Sequence, residues 1–559
     1  MDARVSFNLV DEPWIRARDG DGNVREFSLS GLFSEAPRLQ CLANDLPTQD
    51  FAILRVLLAI LQRSIAPNLD EEDDPAEVWG ELWGAEELPM DDIAAYLEKW
   101  HDRFDLFNPE KPFMQIAGLQ ATNGDVSETK KMISDVPDGT ALFAIRTEES
   151  FSKLAFDEAA RWLVHVHAFD TAGIKTGTVG DPGVKGGKSY PIGTGWAGGL
   201  GGLVLEGQTL RETLLINLVL WDGEGGELFS PDDLPTWERD GSAYSVEGRL
   251  PSGYADIFTW QSRRVLLKAE TDGVIGLILT NGDKLSTFNK NKIEPMTGWR
   301  RSPNQEKKLG VAPVYLPAMH FANRALWRGL DSVFSRSSDG ESRAFLLPGI
   351  IAWAEHLSSA NGKSYLEWNR LIRLHAIGFE YGTQNSVVVE TIDDKLDMNP
   401  YLLSPGGASL VELARQCVES TDKAIFALGR FAANLCQASG GEGNLVSGAR
   451  ENAKSEAYYE IDSVFRSWFA RLGPQSDSSE ARDEWHGQAR VVLKNIASKL
   501  MAEASPNAIV GTAIKDSKGS SLWMTAAKAE ALFFGGLCKA LPVSEALPTS
   551  NVNSNEREG

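Results

Sequence analysis

The sequence predicts an α+β fold: a large mixed N-terminal domain over residues 1–395, a C-terminal four-helix bundle over 400–546 and a disordered tail over 547–559. Three observations predict it. A chain of 559 residues is past the size at which a single hydrophobic core usually keeps growing, so more than one domain is expected. Up to about residue 395, helical segments are set among short strands and long loops containing Gly and Pro. From Ser404 onward the apolar period becomes helical and stays so.

The clearest early helix follows Pro47 and Thr48. Asp50 lies near its positive end, and Phe51, Leu54, Leu57, Leu58 and Leu61 repeat at helical spacing before Pro67. The run Asp70, Glu71, Glu72, Asp73, Asp74 repels itself and reads as an exposed loop with no assigned function. In Trp162-Leu-Val-His-Val-His, a strand would turn His165 and His167 to one side. With no third ligand in sight, the pair reads as satisfied, partly buried histidines and not as a metal site. Around Thr259 to Thr280, two segments rich in Val, Leu and Ile flank Thr271-Asp272-Gly273, as in a β-hairpin.

In the bundle, Leu410, Leu413, Cys417, Thr421, Ile425, Leu428, Phe431 and Leu435 form the first stripe, ending at Ser439-Gly440-Gly441. Ala457, Ile461, Val464, Trp468 and Leu472 form the second, stopped by Gly473-Pro474. The third begins at Asp477-Ser-Ser-Glu480, which resembles a capping box, and runs through Trp485, Val492, Ile496 and Leu500 to Pro506. The fourth spans about Ser521 to Leu541. Each helix buries one face against the others in a four-helix bundle.

Against 78 acids stand 55 lysines and arginines, a net charge of -23, which disfavours broad polyanion binding. Screening beyond about 8 Å still leaves room for a local basic patch. Cys41, Cys417, Cys436 and Cys538 are far apart and form no CxxC pair, so reduced thiols, a cytoplasmic protein and no bound metal are expected. The start MDARVSFNLVDEPW has no apolar h-region, and there is no apolar stretch of 18 residues, so neither export nor a membrane span is expected.

Two features invite ligands. Gly173 to Gly202 contains twelve glycines, with Lys175, Lys185 and Lys188 among them, so the backbone can approach an anionic group closely. Gly183 to Ser189, GVKGGKS, fails as a P-loop because the spacing needs glycine where Pro182 stands. Between Lys284 and Lys308 lie Lys284, Lys290, Lys292, Arg300, Arg301, Lys307 and Lys308, opposed by Glu294 and Glu306. Arg263 and Arg264 extend this basic island, and Trp299 supplies a stacking surface for a nucleic acid. No Ser-His-Asp, paired-carboxylate or Cys-His constellation is visible, so no enzyme and no cofactor are expected. The alternatives are a hydrolase using the glycine loop as a phosphate cradle and a structural subunit without DNA contact.

FNLVDEPWI (Phe7 to Ile15), NPEKPFMQ (Asn108 to Gln115), the glycine-rich stretch, FTWQSRRVLL (Phe258 to Leu267) and the terminal bundle together resemble the CasA family. These proteins are large subunits of type I-E CRISPR Cascade surveillance complexes. The resemblance implies a non-catalytic DNA reader that senses the protospacer-adjacent motif (PAM) from the minor groove, helps open the duplex and forms a platform for a recruited helicase-nuclease. Its implied partners are the other Cascade subunits, a guide RNA and target double-stranded DNA. The glycine loop that lies against the PAM matches Pro182 to Gly187, with Gly183, Lys185, Gly186 and Gly187. The lysine finger falls on Lys290, with Lys292 as the neighbouring alternative. The glutamine wedge falls on Gln384 and Asn385, where Asn385 is polar in place of a small apolar residue. The aromatic that docks near the guide-RNA handle matches Phe143 in ALFAIR. The cysteine cluster of some relatives is missing, so zinc is not expected.

Overall fold

The structure, a computed structural model, describes residues 5–70, 72–134, 136, 149–221, 230, 232–239, 249–334, 343–366, 370–515 and 521–543. The tail assigned to 547–559 therefore lies outside the described residues. The chain divides into two compact units, residues 1–405 and 406–559. The first mixes helices and sheets, and the second is dominated by long helices.

Helix α1 (Pro47–Ile65) forms the interior of the first unit. Pro47 opens it, where a missing N–H costs nothing, and Asp50 sits in the first turn. The predicted apolar stripe is buried, and so is most of the opposite face, including Arg55. A helix enclosed on all sides is packed by several elements, here including helix α2 (Phe156–Phe169) and one sheet. That sheet is antiparallel. Its strands are β1 (Gly202–Glu206), β4 (Ile372–Tyr381) and β5 (Val388–Met398), with β4 in the centre pairing Leu374 to Leu205 on one side and Leu396 on the other. The predicted hairpin is β2 (Arg263–Glu270) and β3 (Gly273–Asn281), turning at Thr271-Asp272.

Two of the motifs behind the family resemblance are scaffold. Within Phe7 to Ile15, Trp14 Nε1 donates to the Leu9 carbonyl at 3.1 Å in the interior. Gln115 donates through Nε2 to the Leu106 carbonyl at 2.9 Å and accepts the Leu267 N–H at 2.8 Å, which ties Asn108–Gln115 to β2.

The histidine pair lies on α2 and not on a strand. Its apolar neighbours are buried on every side, so their alternation carried no information about a face. His165 Nε2 meets Thr48 Oγ1 at 2.9 Å, and His167 Nε2 meets the Met114 carbonyl at 2.8 Å. Burial pushes His165 down to about 3 and His167 to about 4, so both rings are neutral at pH 7. In the acidic run, Asp70 and Glu72 are exposed as expected, while Asp74 caps the helix Pro75–Gly84 by accepting the Ala76 and Glu77 N–H groups at 2.9 and 3.0 Å.

Asp50 accepts the backbone and side-chain N–H groups of Asn44 at 2.8 and 2.7 Å. Burial outweighs these bonds and pushes its carboxyl from the ordinary 3.8 up to about 6. The folded chain therefore holds this proton more tightly than the unfolded chain, and the stability linked to it is lost as pH rises from about 4 to about 6. Asp50→Asn keeps an acceptor for Asn44 and removes the ionisation. It is expected to raise Tm at pH 8 and leave it unchanged at pH 4 in thermal melts followed by circular dichroism; equal shifts at the two pH values would refute the assignment.

The second unit is the predicted bundle. Helix α3 (Ala408–Ala438) packs on α4 (Asn444–Ala470), α5 (Ser478–Ala502) and α6 (Ala526–Ala540). All eight stripe residues of α3 are buried. Trp485 Nε1 donates to Thr421 Oγ1 at 3.0 Å, and the Phe431 and Phe533 rings stack at 5.3 Å. Asp477 caps α5 through the Ser479 and Glu480 N–H groups at 2.8 and 3.0 Å. Two details differ from the sequence reading. Phe465 and Leu493 are buried where Val464 and Val492 are only half-buried, a shift of one residue in phase. The fourth helix starts at Ala526, because Ser521–Met524 is a strand paired with Thr512–Lys515.

Candidate nucleic-acid interface

Two buried charge groups fix the loops that sequence analysis singled out. Arg55, from the middle of α1, donates to both oxygens of Glu294 at 2.9 and 2.8 Å, and Trp196 Nε1 donates to Glu294 Oε2 at 2.6 Å. The Arg55 and Glu294 side chains are 2% and 0% exposed. Glu294, which the sequence set against the basic island, is thus an interior anchor. It joins α1, the glycine-rich segment at Trp196 and the chain just beyond Lys290.

The second group centres on Asp170, which contacts Lys175 at 2.6 Å and buried Arg263 on β2. Burial drives the Asp170 carboxyl up, but Lys175 and Arg263 pull harder and hold it below the usual carboxylate range. Burial lowers the Lys175 ammonium, with Asp170 opposing. Arg263 also donates to the Thr171 and Gly193 carbonyls at 3.1 and 2.8 Å, stapling the glycine-rich stretch at two points.

These contacts correct the basic island. Lys175 and Arg263 are enclosed, Arg264 pairs with Asp283 at 2.9 Å, and Arg301 pairs with Glu306 at 2.6 Å. Trp299 is fully buried and offers no stacking face. Lys284, Lys292, Arg300, Lys307 and Lys308 remain exposed. Arg263 and Arg264 meet acids distant in sequence, whereas Lys175 and Arg301 meet acids close by in the chain.

Gly183, Lys185, Gly186 and Gly187 lie on an exposed loop whose base is the antiparallel pairing of Lys175–Thr176 with Lys188–Ser189. The Gly183 N–H donates to Asp181 Oδ1 at 2.8 Å. Gly186 and Gly187 sit at φ +58° and +74°, left-handed values that cost little only for glycine. After Gly187 the chain enters a short strand and not a helix, a second reason that this is no P-loop.

Lys290 is placed by its neighbour. Asn289, at φ +52°, donates its N–H to the Tyr315 carbonyl at 2.9 Å and accepts the Tyr315 N–H at 2.7 Å, which pins it to the strand Tyr315–Pro317. The Lys290 side chain is half-buried and, among the described residues, has no ion-pair or hydrogen-bond partner. Burial lowers its pKa.

Gln384 and Asn385 form the exposed tip between β4 and β5. Both adopt φ +56°, uncommon for one non-glycine residue and more so for two in succession. The Asn385 N–H donates to the Gly382 carbonyl at 2.9 Å, the Gly382 N–H to the Val387 carbonyl at 2.9 Å, and the Ala172 N–H to the Asn385 carbonyl at 2.8 Å. The last bond joins the tip to the glycine-rich stretch. Phe143 lies outside the described residues.

A cavity of about 750 Å³ opens between Gly193–Gly199, the end of β4 and the strand Tyr315–Pro317. Asn385 lines it, as do Arg300, Phe321 and Arg324. Gly183, Lys185, Gly186, Gly187, Lys290, Lys292 and Gln384 are not on its wall. The sequence reading missed Phe321 and Arg324; Asn385, the glycine-rich stretch and Arg300 were the signals that pointed here.

The first unit is thus an α+β fold that displays interior-anchored loop tips, and a four-helix bundle follows it in the chain. The chain belongs to the CRISPR-associated protein Cse1 family, whose model matches residues 8–496. The crystal structure of Thermobifida fusca Cse1 is 40% identical, with a TM-score of 0.86 over 97% of this chain and 99% of that one. The CRISPR-associated protein CasA/Cse1 of Thermus thermophilus is 27% identical over 511 residues, covering 88% of this chain and 92% of its relative. A chain in a CRISPR RNA-guided surveillance complex shares the fold at 19% identity, with a TM-score of 0.62 over 89% of this chain and 99% of that one.

Proposed function

We propose that this chain is the non-catalytic DNA-recognition subunit of a type I-E Cascade complex in CRISPR defence. It works in the cytoplasm with the other Cascade subunits and a guide RNA, without a cofactor. It senses the PAM of double-stranded DNA from the minor groove, starts strand opening and offers a platform to a helicase-nuclease. The observation that carries this reading is the Gln384-Asn385 tip, exposed, left-handed at both residues and braced by Ala172. Strain held at a surface tip by surrounding hydrogen bonds is a mark of a functional segment. A minor groove of about 6 Å admits a slender lysine or bare backbone more easily than a helix. Lys290 is such a lysine, Gly183, Gly186 and Gly187 offer bare backbone, and Phe143 is assigned to the guide-RNA handle.

Lys290 is a partly desolvated cation with no counter-ion among the described residues, so an acceptor in the groove relieves a cost already present in the free protein. In the assembled complex, Lys290→Ala is expected to weaken binding to PAM-bearing duplex about tenfold or more, the size of a lost charged hydrogen bond. Lys292→Ala, at a more exposed position, is expected to cost less. Equal affinities for wild type and Lys290→Ala would remove the finger assignment.

A further inference from the structure

We propose that the cavity beside Asn385 receives one unstacked nucleotide of single-stranded DNA, with Phe321 as its stacking ring and Arg300 and Arg324 as its phosphate partners. The cavity, about 750 Å³, falls within the range of small-ligand sites. Phe321 stands 52% exposed at its mouth, leaving a large apolar face uncovered. The backbone that carries the ring is held in position. Phe321 bridges Arg324 in a tight turn whose Arg324 N–H donates to the Phe321 carbonyl at 3.0 Å, and the Ala322 N–H donates to Glu380 Oε2 on β4 at 3.2 Å.

The cations are available to an anion. Arg300 is exposed on the strand Trp299–Arg301 and, among the described residues, has no ion-pair partner. Arg324 is exposed, and its Nη2 donates to the Arg328 carbonyl at 2.5 Å, which orients the guanidinium without neutralising it. Of the acids on the wall, Asp283 pairs with Arg264 at 2.9 Å and Asp331 has contacts of its own, while Glu380 accepts the Ala322 N–H and keeps its charge. An exposed aromatic and two arginines without an ion-pair partner among the described residues, all on one cavity wall, are the elements that grip single strands with little sequence preference. Asn385 shares the wall, so a strand released at the tip meets this site first. This source of the nucleotide rests on the DNA-reading role, whereas the site itself does not.

The test uses the purified full chain and a fluorescein-labelled oligothymidylate octamer, read by anisotropy at low salt. Wild type is expected to bind, Phe321→Ala to bind about tenfold more weakly from lost base stacking, and Phe321→Trp to retain affinity. Arg324→Gln is expected to weaken binding and flatten its salt dependence. Absence of binding by wild type, or equal binding by Phe321→Ala, overturns the proposal. The assay contains no duplex and no PAM. Its failure leaves PAM reading standing, and failure of the Lys290→Ala experiment leaves this site standing.

Discussion

Replacing Arg55 with alanine is expected to destabilise the first unit by about 3–5 kcal/mol, because it leaves Glu294 charged, buried and without its counter-ion. The Glu294 carboxylate would keep the Trp196 indole N–H and the Met296 N–H at 2.6 and 3.1 Å, which is too little for an enclosed charge. Urea unfolding checks the magnitude. A loss below about 1 kcal/mol, the value of an exposed pair, would contradict the assignment. The double change Arg55→Met with Glu294→Met removes both charges and is expected to cost less than the sum of the single changes. Because Glu294 anchors both Trp196 and the segment after Lys290, Arg55→Ala is also expected to weaken DNA capture by the assembled complex, although Arg55 is buried.

Replacing Gln384 and Asn385 together with glycine is expected to separate stability from function. Glycine adopts φ near +56° without the penalty of an L side chain, so the fold is expected to lose nothing and to gain up to about 1 kcal/mol. The side chains that would enter the base stack are gone. Unstacking a base step costs a few kcal/mol, and the wedge is the element proposed to supply it. Opening, read by 2-aminopurine fluorescence beside the PAM, is therefore expected to slow at least tenfold while initial duplex capture persists. An unchanged opening rate would count against the wedge.

Legibility in the sequence followed the range of the signal. Helix α3 declared itself because its apolar stripe repeats over 31 residues and faces one core. The turn at Thr271-Asp272 and the cap at Asp477 were equally local. The strand Ser521–Met524 was missed because four residues, Ser-Leu-Trp-Met, fit a helix as readily as a strand. The histidines on α2 could be read on a strand as easily as on a helix because their neighbours are buried all round. Charges were the least legible: Glu294 lies 239 residues from Arg55, and Asp170 lies 93 from Arg263. Tertiary pairing, which no local spacing encodes, enclosed Arg55 and Arg263, whereas Lys175 and Arg301 pair with acids close by in the chain. Phe321 and Arg324 carried no signal beyond an isolated aromatic and an isolated arginine, and only the fold brings them to Asn385.

The most direct measurement compares the assembled complex with and without this chain, binding duplexes that differ only in an intact or scrambled PAM. The account predicts that the complete complex prefers the intact motif and that the preference vanishes when the chain is omitted. A preference that survives its omission would contradict the account.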